Sequence, residues 1–185
     1  MAKVHQRIDD RLRQFIEGQQ MFFVATAPND PNARINVSPK GIGGTFAVLD
    51  DHTVAYLDLT ASGAETIAHL RDNGRITLMF CSFEGPPNVV RLHGRGRFLT
   101  LYDAGFAALL GHFTETRGAR AIVVVDVERV SDSCGNGVPQ MIMAGERDLL
   151  PQHMERKGAV DRAAYRRRKN TTSIDGLPAF DFDPL

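Results

Sequence analysis

Residues 34–40 read Arg-Ile-Asn-Val-Ser-Pro-Lys. Strand side chains alternate between faces, so Arg34, Asn36 and Ser38 share one side, and Lys40 follows Pro39 at the strand end. A cation, an amide, a hydroxyl and a second cation form a polar lining able to hydrogen-bond a planar, heteroatom-rich ligand. The same pattern also suits an exposed edge strand. A second stretch, LTASGAETIAHL at 59–70, steps from strand to helix through small residues. Ser62 precedes Glu65 by three positions, the spacing of a capping box. Thr60, Ser62 and Thr66 bring hydroxyls, and free backbone N–H groups follow. Such a turn either starts a helix or holds an anion such as phosphate.

The third pattern lies in VVRLHGRGRFL, residues 89–99. Arg91, His93, Arg95 and Arg97 share one face of a strand, opposite Val90, Leu92, Gly94, Gly96 and Phe98. Two readings are open. Carboxylates on a neighbouring strand neutralise a solvated face, or one or two of these cations meet a bound anion. The two glycines predict a bend or a close approach. Other chemistries are missing: there is no GxGxxG, GxxxxGK[ST] or HExxH, and six histidines are scattered without ligand spacing. Cys134, in the Gly-rich stretch SDSCGNGVPQM, is either a reactive thiol or part of a turn.

These residues need elements to position them. Val4, Ile8, Leu12, Phe15 and Ile16 predict an amphipathic helix over 3–18. Strands are predicted at 21–27, 33–38, 75–83, 89–99 and 119–130, with a hairpin between TFAVLD and TVAYLDL. Helices are predicted at about 63–72 and 103–113. Most connections are too short for parallel crossovers. The fold class is therefore mainly β with peripheral helices, an antiparallel barrel or sandwich. After about residue 145 the chain turns charged and irregular, with a short basic helix and a tail whose Leu177, Pro178, Phe180 and Phe182 predict docking. Two units are expected: residues 1–147 as the barrel, and 148–185 as an extension packed on it or on a partner subunit.

Composition narrows the function. The 22 basic and 22 acidic residues cancel, which argues against a general nucleic-acid binder. Two cysteines are too few for a disulfide framework and point to reduced thiols in a cytoplasmic protein. No apolar run is long enough to span a membrane.

Taken in order, RINVSPKG, YLDLTASGAET, RITLMF, VVRLHGRGRF and SDSCGNGVPQM resemble the pyridoxamine 5′-phosphate oxidase-related flavoproteins over roughly residues 20–147. The resemblance implies a split β-barrel of the FMN-binding type, a homodimer, and FMN in clefts at the dimer interface. It implies cofactor contacts from Arg34, Asn36, Ser38 and Lys40 on one segment and from Thr60, Ser62 and Thr66 on the other, with Arg91 on the strand that approaches the flavin. Glu65 departs from the family's basic residues at that point and is read as the helix cap. The helix LYDAGFAALLGHF keeps Tyr102 but lacks the arginine and serine that grip pyridoxamine phosphate. The chain has no tryptophan, and its Arg-x-His pair lies at 91–93 on a strand. Vitamin B6 oxidation is therefore not expected. The expectation is an FMN-dependent oxidoreductase acting on a small-molecule substrate or electron donor. The alternatives are a deazaflavin-dependent reductase, or a non-catalytic flavin- or haem-binding protein with His93 as an axial ligand.

Overall fold

A computed structural model describes residues 3–182. The elements are β1 (Lys3–His5), α1 (Asp10–Glu17), β2 (Phe22–Thr26), β3 (Asn36–Lys40), β4 (Phe46–Val48), β5 (Thr53–Leu59), α2 (Glu65–Asp72), β6 (Arg75–Cys81), β7 (Val89–Thr100), α3 (Ala104–Leu110), β8 (Ala119–Ser133), α4 (Leu149–Arg156) and α5 (Ala159–Lys169). The strands form one antiparallel sheet in the order β3-β2-β6-β7-β8-β5-β4, with β1 added to β8. It curls into the mainly β, split-barrel architecture anticipated above, with helices at its margins.

β8 explains why the sheet holds together. Its Val-rich run is buried on both faces, so it lacks the polar alternation of a half-exposed strand. Val123 and Val125 point into the main core, and Ile122 and Val124 into a second cluster with Leu57 and Phe113. Phe106, Leu109 and Leu110 of α3 cover that second cluster. The main core takes Leu12 and Ile16 of α1, Ile67 and Leu70 of α2, and Phe180 and Phe182 of the C-terminal tail. Each such phenylalanine contributes about 1.5–3 kcal/mol by leaving water. The tail thus packs on its own barrel.

The glycines of β7 are close-approach positions. A Cβ on Gly94 would run into the Asp126 carbonyl oxygen, beside a register shift between β7 and β8. One on Gly96 would strike Leu70 of α2 at 2.7 Å.

Some boundaries differ from the sequence expectation. Residues 3–5 are a strand, and α1 begins only at Asp10, because the Asp9 carboxylate caps the Leu12 amide at 2.8 Å. Val4, counted into the helical stripe, remains half exposed on β1. The strand expected at 33–38 runs 36–40, in the register set by Phe22↔Lys40 and Thr26↔Asn36. Pro39 is tolerated because β3 is an edge strand. The single basic helix is two, α4 and α5.

Candidate functional site

A cavity of about 340 Å³ lies where β3, the end of β5, the 60–64 turn and the start of α2 meet. β3 faces it with its polar side. Asn36, Ser38 and Lys40 line the cavity, whereas Ile35 and Val37 point outward and are 73% and 63% exposed. This inverts the usual edge-strand pattern, in which apolar residues face inward.

Asn36 organises the polar wall. Its Nδ2 lies 3.1 Å from Thr66 Oγ1, 3.3 Å from Ser38 Oγ and 3.3 Å from Thr26 Oγ1. An amide nitrogen has only two hydrogens, so these oxygens share them. Ser38 and Thr66, as acceptors here, keep their own hydroxyl hydrogens for another partner. Behind them, Thr26 Oγ1 sits 2.9 Å from Nδ1 of the buried His69. Burial pushes the His69 pKa below its ordinary value, although neighbouring hydrogen bonding and carboxylates oppose this.

The floor is ionic. Asp58 accepts from Arg120 Nε at 2.7 Å and pairs with Lys40 Nζ at 3.4 Å. Burial alone would raise the Asp58 pKa, but the Arg120 and then the Lys40 charges outweigh it and hold the carboxyl below its usual range. Asp58 is therefore ionised, and two cations share one anion. Lys40 keeps about a quarter of its side chain exposed, at the cavity, with ammonium hydrogens to spare.

The turn ends in a helix start without a side-chain cap. The cap residue of α2 is Ala64, with no side-chain hydrogen bond. The capping box is corrected here: Ser62 lies two residues before the cap and is exposed. The Glu65 carboxylate instead accepts from the Ile174 amide of the tail at 3.3 Å. The first-turn N–H groups of a helix have no intrahelical acceptors, and among the described residues no side chain caps α2.

The residues singled out from sequence thus divide. Asn36, Ser38, Lys40 and Thr66 come together on the cavity. Thr60 is buried and accepts from Arg166 Nε at 3.0 Å. Arg34 lies on the surface, ion-paired with Asp175 of the tail. Arg91 donates to Ser133 Oγ at 3.1 Å and does not line the cavity. Arg95 and Arg97 pair with Glu128 and Asp126 on β8, the neutralised-face reading. Sequence reasoning missed Asp58 and Arg120. The signal was available: each is a charge inside an otherwise apolar strand, in VAYLDL and ARAIVVV.

A larger hollow of about 610 Å³ adjoins the cavity through Pro39, Gly41 and Ile42, with Met21, Phe83 and Met141 among its walls. Cys81 is buried, Cys134 is exposed, and neither forms a disulfide. Among the described residues no group of three or more His, Cys, Asp or Glu could hold a metal ion, and no helix is long and apolar enough to cross a membrane.

Residues 8–134 match the family described as pyridoxamine 5′-phosphate oxidase. The chain is 36% identical, over 96% of its length and 78% of the relative's, to the pyridoxamine 5′-phosphate oxidase family protein ustO of Aspergillus flavus. Among solved structures, a point variant of HupZ from Group A Streptococcus superposes with a TM-score of 0.52 at 24% identity, covering 68% of this chain and 99% of that one. A Clostridium acetobutylicum protein related to general stress protein 26, of the pyridoxinephosphate oxidase family, gives 0.50 at 14% identity, covering 65% and 84%.

Proposed function

The chain belongs to the pyridoxamine 5′-phosphate oxidase family, and on that premise we propose that it is a homodimeric FMN-dependent oxidoreductase whose cavity at β3 and α2 takes the flavin phosphate. The inverted alternation of β3 carries the proposal. An edge strand that turns Asn36, Ser38 and Lys40 inward and Val37 outward, with Ile35 exposed just before it, suits a polar ligand on one side and a protein partner on the other.

The residues present fit a phosphate-bearing cofactor. Lys40 offers a charge-assisted contact, Ser38 and Thr66 offer hydroxyl hydrogens, and α2 offers uncapped N–H groups at the positive end of its dipole. The cavity lies within the size range of small-molecule sites. FMN, when bound, supplies the hydride or electron transfer. This chain's residues would bind it, orient it and exclude water. Asp58 is committed to its two cations, so the proposal assigns it no proton transfer. The adjoining hollow, partly walled by Met21, Phe83 and Met141, is the place proposed for a substrate or electron donor with an apolar body. Pyridoxamine phosphate is not the proposed substrate, because the α3 region keeps Tyr102 without the family's arginine and serine. A second copy would cover Ile35 and Val37. A cytoplasmic setting is part of the proposal, supported by the unpaired Cys81 and Cys134.

The test is the absorption spectrum of the purified protein, followed by FMN and riboflavin titrations. Flavin bands that bleach with dithionite or a nicotinamide donor, with FMN bound more tightly than riboflavin, are expected. A Soret band, or no binding of added FMN, overturns the proposal.

A further inference from the structure

Three side chains from elsewhere in the chain hold the 60–64 turn from its buried side. Arg120 Nη1 donates to the Ala61 carbonyl at 3.2 Å, and its Nη2 donates to the Gly63 carbonyl at 2.7 Å. Asn170, at the end of α5, donates its Nδ2 to the same Ala61 carbonyl at 2.8 Å. Arg166, one helical turn earlier, donates to Thr60 Oγ1 and, at 3.1 Å, to the Ala119 carbonyl. The tail closes the back. The Phe180 ring lies 4.9 Å from the Arg120 guanidinium, and the Phe180 amide donates to the Asn170 carbonyl at 3.1 Å.

These bonds decide which way the turn faces. A trans peptide plane points its N–H opposite to its C=O. With the Ala61 and Gly63 carbonyls turned onto Arg120 and Asn170, the N–H groups of Ser62 and Ala64 point the other way. Asn170 is fully buried, and among the described residues its Oδ1 has no hydrogen-bond partner. A buried amide with an unmet acceptor costs stability relative to an apolar side chain. What Asn170 supplies is its bond to the turn.

We infer that Arg120, Arg166 and Asn170 are positioning residues for the phosphate site, and that the segment from α5 to Phe182 is a working part of that site. This rests on the phosphate-binding proposal above. Coupling is reciprocal: if the docked segment shapes the turn for phosphate, phosphate binding must stabilise the docked segment.

Two measurements on the full-length protein test it. The first compares FMN and riboflavin affinities of wild type, Asn170→Ala and Arg166→Gln by flavin fluorescence, alongside unfolding of the ligand-free proteins. The inference expects FMN affinity to fall about tenfold in each variant, the scale of one lost hydrogen bond, with riboflavin changed far less. The second is limited trypsin digestion of wild type, since α5 carries Arg166, Arg167, Arg168 and Lys169. FMN, but not riboflavin, is expected to slow cleavage there, and this result stands even if a variant fails to fold. Folded variants with wild-type preference for FMN, or cleavage indifferent to FMN, overturn this inference while leaving the phosphate site intact. A wild-type protein that binds FMN no better than riboflavin overturns the phosphate site, and this inference with it.

Discussion

Arg120 Nε and Asp58 Oδ2 meet at 2.7 Å with both residues almost fully buried, at 4% and 2% exposure. One anion on β5 thereby anchors the cation of β8 that reaches the 60–64 turn. Removing the carboxylate charge would leave Arg120 uncompensated in the interior. Asp58→Asn is expected to cost about 3–5 kcal/mol of stability, read from urea denaturation at neutral pH. The pH dependence has a definite sign. The folded-state pKa of Asp58 lies below its ordinary value. Its contribution is therefore present above the unfolded carboxylate pKa of about 3.9 and is lost as pH falls through the lower folded value. Wild type should lose stability in that acid range more steeply than Asp58→Asn; parallel acid limbs would contradict the assignment.

Lys40 and Arg34 should separate in ligand binding although both lie near β3. Lys40 lines the cavity, and a charge-assisted contact is worth about 1.5–3 kcal/mol. Lys40→Ala should weaken FMN binding by about ten- to hundredfold and riboflavin binding far less. Arg34 is committed to Asp175, so Arg34→Ala should leave FMN affinity at its wild-type value. Calorimetric titration of both variants with both ligands distinguishes them.

Ser62 makes no cap, so Ser62→Ala should change ligand-free stability by no more than about 0.5 kcal/mol, the scale of an ordinary surface substitution. A loss near 1 kcal/mol would mean that the hydroxyl caps α2 after all.

The outward face of β3 carries the dimer proposal. Ile35→Lys combined with Val37→Lys leaves the core untouched, because both side chains are exposed. Light scattering should show a dimer for wild type and a monomer for the double variant, with unchanged secondary structure by circular dichroism. A wild-type monomer would remove the partner from the proposal.

The Tyr56 hydroxyl is buried in the core, among the described residues without a hydrogen-bond partner, and burial pushes its pKa up. An unmet buried hydroxyl costs about 1–3 kcal/mol. Tyr56→Phe should therefore match wild type or gain about 1 kcal/mol in urea denaturation. A clear loss would show that the hydroxyl has a partner in solution.

Local periodicity made most of the architecture legible. Alternation in RINVSPK placed Asn36 and Ser38 on one face, and the β-rich run at 119–130 marked a strand, although its burial on both sides emerged only with the second core cluster. The step through small residues at 60–64 marked a strand-to-helix turn with amides to offer, and the β7 glycines marked close approaches. These features depend on neighbours along the chain, where side-chain direction follows from backbone geometry. The partners of the charges do not. Arg34 looked like a ligand cation until Asp175, 141 positions away, was placed beside it. Ser62 had the spacing of a cap. The helix nevertheless starts after Ala64, and Arg120, 59 residues downstream of Ala61, and Asn170, 109 downstream, hold the turn's carbonyls. A charge in sequence carries no sign of whether it will be solvated or buried. That is decided only when the sheet and the tail close, because a buried charge is tolerable only with its partner in place.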